Sequence, residues 1–126
     1  VMVSANTASE IFESLLRVGE EDVVLGVSFP RYSSRTVQAM SFARDRGATT
    51  ISITDSEASP LAAISKYTLK ARSDMASFVD SLVAPLSLVN ALLVAVSRKK
   101  NDDLAHTFQT LEEIWEEYGV YEKVQE

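Results

Sequence analysis

A run of apolar, mostly β-branched residues at 22–28, "DVVLGVS", restricts the folds open to this chain. The run has apolar residues at both odd and even positions, so both faces of a strand formed from it are apolar. Such strands occur at the centre of parallel sheets, whose two faces are covered, whereas exposed antiparallel strands alternate apolar and polar residues. The run therefore predicts a central strand of a parallel sheet.

Segments with helical spacing separate this strand from other short strand patterns. The predicted order is a strand end at 1–4 ("VMVS"), a helix at 7–19, the strand at 22–28, a helix at 34–47, a strand at 49–54 ("TTISIT"), a loop and short helix at 55–64 with Pro60 in its first turn, and a strand at 67–71 ("YTLKA"). In the helix at 34–47 we expect Val37, Met40 and either Ala43 or Phe42 to face the core, and Gly47 to end the helix. Strands that alternate with helices in this way predict an α/β fold whose sheet is covered on both faces.

Two longer helices are predicted to complete the chain. The first is apolar, covers roughly 78–98, and either bends at Pro85 or has that residue near its start. The second begins at Asn101 or Asp102 as the cap, and one face carries the apolar residues Leu104, Phe108, Leu111, Trp115 and Tyr118. We therefore divide the chain into an α/β domain at 1–100 and an amphipathic C-terminal helix at 101–126. The spacing leaves open whether this helix packs on its own domain or on a dimer partner.

Composition excludes several classes of function. The chain has 126 residues, one domain's worth, with 12 Lys and Arg against 18 Asp and Glu, and the net charge of -6 disfavours direct binding to nucleic acid. It has no cysteine for a disulfide or a thiolate metal site, and its first residues do not form a signal peptide. The longest apolar run, 82–96, is interrupted and falls short of the roughly 20 residues of a membrane span. We expect a cytoplasmic protein with no membrane partner.

The turn between the strand at 22–28 and its helix is rich in hydroxyl groups. Ser28, Ser33, Ser34 and Thr36 lie where a parallel strand ends and a helix begins, which is where open α/β sheets bind ligands. Unpaired backbone N–H groups and the helix dipole favour an anion there, and hydroxyl groups add donors. The alternative is structural, since a serine before a helix commonly caps it. Arg31 or Arg35 would add charged donors to an anion site, or is simply a surface residue.

The segment resembles the phosphosugar-binding loop of the SIS (sugar isomerase) domain, whose pattern is Ser-x-Ser-Gly-x-Thr after a central strand. Ser33, Ser34, Arg35 and Thr36 match the end of that pattern, and Ser28 matches its first Ser if "FPRY" is an insert. The stretch "ARDRGATTISITDSEASPLA" is similar to the helix, strand and loop that follow in the family. Together with "FVDSLVAPLSLVNALL", the variant "SFPRYS" resembles the SIS domain of RpiR-type bacterial transcriptional regulators. The resemblance extends over roughly Val1 to Lys100.

This resemblance implies a three-layer αβα sandwich of flavodoxin-like topology that binds a sugar phosphate and commonly dimerises. In the regulators a helix-turn-helix domain, absent from this chain, precedes the SIS domain and contacts DNA. Two departures from the family are visible. Ser34 replaces a glycine, so a different backbone path is expected. The family's first strand and its Gly-x-Gly-x-Ser loop are not found, so the domain looks N-terminally truncated and part of the site is expected to be missing. Because an uncovered parallel edge exposes unpaired backbone groups, the first segment of the chain is expected to pack abnormally or to pair with another chain.

The sequence favours sensing over catalysis. An aldose–ketose isomerase needs a general base near the sugar carbons, and the candidates His106 and Glu57 do not form an evident acid–base pair. A phosphosugar-sensing module of a transcriptional regulator is therefore the preferred interpretation. The second interpretation is an isomerase and the third is a pure dimerisation scaffold. A phospho-receiver domain is disfavoured, because this chain lacks the acidic cluster that such a domain needs. Asp55, Ser56, Asp80 and Ser81 are further candidate ligand residues, and neither a metal nor another cofactor is expected.

Overall fold

The computed structural model describes residues 8–73 and 81–122, without the side chains of Ala8, Asp102, Asp103 and Leu104. The predicted strand at 1–4 and the residues from 74 to 80, including the predicted start of the apolar helix, lie outside these ranges. The chain divides into two compact units, Val1–Leu86 and Ser87–Glu126. The domain boundary drawn at residue 100 and the surface on which the last helix packs stay predictions.

The first unit alternates helices and parallel strands. Its elements are α1 (Ala8–Leu15), β1 (Val23–Val27), α2 (Ser34–Asp45), β2 (Thr49–Thr54), one turn of 3-10 helix (Ala62–Ile64) and β3 (Tyr67–Lys70). The sheet order is β1-β2-β3, with Val27 opposite Ile53 and Ile53 opposite Leu69. Both pairings are parallel, so the predicted α/β class, a parallel sheet flanked by helices, is confirmed.

Helix α2 covers the sheet with a face of small and flexible residues. Ala39, Met40 and Ala43 are buried on it, whereas Val37 and Phe42 are only half-buried. The helix ends as predicted at Gly47, whose φ of 89° is easy for glycine and unfavourable for other residues. Hydrogen bonds from Gly47 N to the Arg44 carbonyl (2.9 Å) and from Ala48 N to the Ala43 carbonyl (3.1 Å) close a Schellman motif, which satisfies carbonyl groups at the helix end.

Buried residues of the first unit come from α2, from the sheet and from the loop after β2. The unit's largest buried side chains are Met40, Ile53 and Leu61. Each contributes about 1.5–3 kcal/mol relative to an exposed position, so these three side chains are a main source of the unit's stability. Helix α1 packs on α2, where the Phe12 and Phe42 rings meet edge to face with centroids 5.7 Å apart.

Strand β1 differs from the expectation of a central strand with both faces buried. Among the described residues it has β2 as its one neighbour, so it forms an edge of the sheet. Gly26 is buried against α2, but Val23, Leu25 and Val27, which alternate onto the other face, are 63, 41 and 46 % exposed. The expected parallel pairing is present. The expected burial on both faces is not observed, because α2 covers only one face of β1. The expectation for the first segment of the chain concerns residues 1–7, which lie outside the described ranges.

Strand β2 carries a row of buried hydroxyl groups. Thr50, Ser52 and Thr54 occupy alternate positions and are at most 2 % exposed. Thr50 Oγ1 donates to the Ile64 carbonyl (3.4 Å), Ser52 Oγ contacts Thr68 Oγ1 (3.1 Å), and Thr54 Oγ1 donates to Asp55 Oδ1 (3.2 Å). Each hydroxyl thus has a partner, which offsets the cost of removing it from water.

The second unit consists of most of α3 (Val83–Lys99) and of α4 (Asn101–Glu117). Pro85 is the third residue of α3, where the missing N–H costs no helical hydrogen bond. Lys100, rather than Asn101 or Asp102, takes the N-cap position of α4 and makes no side-chain cap. The reason is the one-residue connection: Lys100 N still bonds to the Val96 carbonyl of α3 (3.1 Å). Within the described ranges, no helix is long and apolar enough to cross a bilayer.

Candidate functional site

Two loops meet at the edge of the sheet where β1 and β2 end. The first loop, residues 28–33, connects β1 to α2, and the second loop, residues 55–61, connects β2 to the 3-10 turn. Because β1 and β2 are parallel and pair in register up to Val27 and Ile53, both loops leave the same edge. This is the edge at which open α/β sheets bind ligands.

Three hydrogen bonds hold the two ends of the first loop. Ser28 N donates to the Ile53 carbonyl (3.1 Å), which continues the pairing of β1 and β2 by one residue. The buried Ser28 Oγ then accepts from Ser33 N (3.1 Å), and Ser33 Oγ accepts from Thr36 N (3.4 Å). Ser33 is therefore the N-cap of α2, as the structural alternative predicts. Ser28 also has a structural role, which sequence reasoning did not anticipate, and its hydroxyl proton can still be donated.

The start of α2 completes this arrangement. Ser34 is the first helical residue and is exposed, and Thr36 is half-buried in the first turn. The backbone N–H groups of Ser34 and Arg35 have no acceptor within the helix, as at any helix start. The four hydroxyl residues predicted for the site therefore lie between the end of β1 and the first turn of α2. The chemistry available there is that of a small anion site with N–H and O–H donors.

The unusual backbone conformation of the turn occurs at Arg31 and not at Ser34. Arg31 has a φ of 64°, the one positive value among the described residues other than glycine. Ser34 lies in the right-handed helix, so this position does not require the glycine of the family pattern. Arg31 and Arg35 are both exposed, and neither forms an ion pair with another described residue.

A tyrosine that the sequence reasoning missed joins the two loops. Tyr32 Oη donates to Asp55 Oδ1 at 2.7 Å, and Thr54 Oγ1 donates to the same oxygen. The hydrogen bond from Tyr32 lowers the pKa of Asp55 below its ordinary value, because it stabilises the carboxylate. The same bond, with a smaller effect of burial, raises the pKa of Tyr32. Asp55 therefore lies beside the first loop. The one signal in the sequence for this contact is the presence of a tyrosine, Tyr32, within the hydroxyl-rich loop.

Comparison with known proteins identifies the family of this fold. The sequence profile of the SIS domain matches residues 1–95. The chain belongs to the SIS domain family.

Two relatives of this SIS domain are transcriptional regulators. The structure superposes with a TM-score of 0.79 on the sugar isomerase domain of an RpiR transcription factor from Sphaerobacter thermophilus, at 26% identity over 90% of this chain and 62% of that one. Over 105 residues the sequence is 30% identical to an uncharacterized HTH-type transcriptional regulator of Caldanaerobacter subterraneus subsp. tengcongensis, covering 80% of this chain and 37% of the relative. This SIS domain thus spans less than two thirds of the length of either protein.

The other candidate residues of this SIS domain have structural partners or lie elsewhere. Glu57 is exposed and forms an ion pair with Lys70 at 2.8 Å, which lowers the pKa of its carboxyl group. Ser81 Oγ accepts from Val83 N at the start of α3 (3.4 Å), and Asp80 lies outside the described residues. Half-buried Ser56 lies next to Asp55 in the second loop.

The sole histidine lies in the second unit of the chain, beyond the residues that the SIS profile matches. His106 is exposed on α4, with Thr110 Oγ1 3.4 Å from its Nδ1. Within residues 8–73 and 81–122, no three His, Asp or Glu side chains are grouped so that they could hold a metal ion.

Proposed function

We propose that this SIS domain binds a sugar phosphate and acts as the sensing and dimerisation module of a bacterial transcriptional regulator. The observation that carries the proposal is the start of α2, where Ser28 and Ser33 fix the loop while the N–H groups of Ser34 and Arg35 remain available. The phosphate would accept from these N–H groups and from the hydroxyls of Ser34 and Thr36, with Arg31 or Arg35 as charged donors.

The relatives support a regulatory role. Both are named as transcription regulators, and one is named as HTH-type. DNA contact would then belong to a helix-turn-helix domain and not to the SIS domain, which agrees with the net charge of -6. A homodimer formed in part by α4 and a cytoplasmic location, where the DNA is, belong to the same proposal.

An aldose–ketose isomerase is the less favoured alternative. Proton transfer between sugar carbons needs a base whose pKa lies near the working pH. Asp55 and Glu57, the carboxylates of the second loop, both have pKa values shifted downward, away from that range, by Tyr32 and by Lys70 respectively. The two carboxylates are thus better suited to structural roles than to proton transfer.

The test measures thermal stabilisation by pentose and hexose phosphates, amino-sugar phosphates and the same sugars without phosphate. We expect stabilisation that depends on the phosphate group. The decisive variant is Ser34→Pro, because proline is tolerated at the first helical position and removes one backbone donor. A hydrogen bond to a charged group contributes about 1.5–3 kcal/mol, so Kd should rise by about tenfold or more.

The matched control is Ser34→Ala, which removes the hydroxyl and keeps the N–H group. It should weaken binding less than Ser34→Pro, and both variants should unfold at nearly the wild-type denaturant concentration. If no sugar phosphate stabilises the protein, or if Ser34→Pro binds as tightly as the wild type, the phosphate seat proposed at α2 is wrong.

A further inference from the structure

A hydrogen bond between Tyr32 and Asp55, which are 23 residues apart in the sequence, joins the first loop to the second loop. Tyr32 comes from the first loop, and Asp55 directly follows β2. The acceptor is itself held, because Thr54 Oγ1 donates to the same carboxylate oxygen at 3.2 Å and Thr54 is fully buried. The hydrogen bond from Tyr32 therefore attaches the first loop to a carboxylate, that of Asp55, whose position is itself held by the sheet.

The backbone beside Tyr32 needs such an attachment. Arg31 has a φ of 64°, a conformation that arginine seldom adopts and that persists only where neighbouring contacts hold it. Ser28 holds the start of the loop through Ile53, and the Ser33 N–H bond to Ser28 Oγ draws the loop's two ends together. The contact of Tyr32 with Asp55 holds the part that lies between these ends, directly after the strained residue.

We infer that Tyr32 is a positioning residue, whose hydrogen bond to Asp55 holds the first loop in the shape that presents the start of α2 to a phosphate. The inference rests on the proposed function for its ligand, and it concerns Tyr32 acting through Asp55 rather than touching the phosphate. Its role is to keep Ser28 and Ser33 in register with the helix before the ligand arrives, so that binding does not have to order the loop.

One set of experiments needs no ligand. Tyr32→Phe removes a single oxygen and keeps the ring, and the exposed Tyr67→Phe is the matched control. In the wild type, ultraviolet absorbance should show one tyrosine that ionises at higher pH than the others, and this component should be missing in Tyr32→Phe alone. Amide hydrogen exchange at Ser33 and Thr36, whose N–H groups bond to the loop hydroxyls, should quicken in Tyr32→Phe and not in Tyr67→Phe.

A second set measures the affinity for ribose 5-phosphate and for inorganic phosphate. Tyr32→Phe should raise Kd by roughly threefold to tenfold, the range expected for one hydrogen bond. Asp55→Ala should have a similar effect, and the double variant should bind no more weakly than Asp55→Ala, because both changes remove the same bond.

The outcomes separate this inference from the proposed function. If the wild type binds neither probe and no other sugar phosphate stabilises it, the proposed function fails, and the absorbance and exchange results still decide whether Tyr32 holds the loop. Unchanged amide exchange together with unchanged affinity in Tyr32→Phe would overturn the inference. Additive losses in the double variant would overturn it as well, since the two residues would then act separately.

Discussion

Replacing Gly26 with alanine tests how closely β1 and α2 approach each other. A Cβ atom at Gly26 would lie 2.8 Å from Sδ and 2.9 Å from Cγ of Met40. Non-bonded carbon atoms prefer about 3.5–4.0 Å, so Met40 would have to move by about 1 Å. Met40 is 1% exposed, and a move of this size therefore disturbs its neighbours in the core.

The cost follows from two opposing effects. Adding a methyl group to a filled core typically costs about 1–3 kcal/mol, and the flexible side chain of methionine places Met40 toward the lower end. Alanine restricts the unfolded chain, which returns about 0.4–1 kcal/mol, and the φ of Gly26 is not positive. We expect a net loss of about 1 kcal/mol in the free energy of unfolding, or about 4 °C in Tm.

Urea denaturation of a double-mutant cycle with Met40→Ala measures this contact directly. In the Met40→Ala background, Gly26→Ala should cost nothing or should stabilise the protein, because the clashing atoms are gone. Gly19→Ala is the control, since nothing lies within 4 Å of the added Cβ there. Equal losses for Gly26→Ala in both backgrounds would refute the close approach of β1 to α2.

Two further predictions concern the loops. Ser33→Ala should lower the free energy of unfolding by about 1 kcal/mol because α2 loses its N-cap, whereas Ser33→Gly should cost only a few tenths; equal losses in urea denaturation would contradict the cap. The stability contributed by the lowered pKa of Asp55 is complete above its unfolded value of 3.8 and disappears as pH falls through the lowered folded value. Acid denaturation of Asp55→Asn should therefore depend less steeply on pH than that of the wild type, and equal slopes would contradict this.

Local patterns predicted the elements whose causes are local. The strand at 49–54 has the same bounds in sequence and structure, because alternating Thr, Ser and Ile residues favour a strand and Gly47 ends the helix before it. The α/β class followed from the alternation of such segments. The start of α4 was misplaced because the position of its cap depends on how α3 ends, through the bond from Lys100 to Val96.

The site was predicted only as far as neighbours in sequence determine it. Ser28, Ser33 and Thr36 lie within nine residues of each other, and a strand followed by a helix places them together. The bond between Tyr32 and Asp55 depends on the pairing of β1 with β2, which brings distant residues to one edge. The positive φ of Arg31 also has no signal in composition, since arginine rarely adopts it.

The row of buried hydroxyl groups on β2 strongly favours a single pairing register between β2 and its neighbouring strands. A shift of β2 by a single residue would turn Thr50, Ser52 and Thr54 to the opposite face of the sheet. Isoleucine side chains would then replace the hydroxyl groups that now bond to the Ile64 carbonyl and to Thr68 Oγ1. Each buried hydroxyl stranded in this way costs about 1–3 kcal/mol, and so does each carbonyl left without its donor. Misaligned sheets are therefore penalised several times over, and the edge from which both loops depart is rebuilt in the same place each time the chain folds.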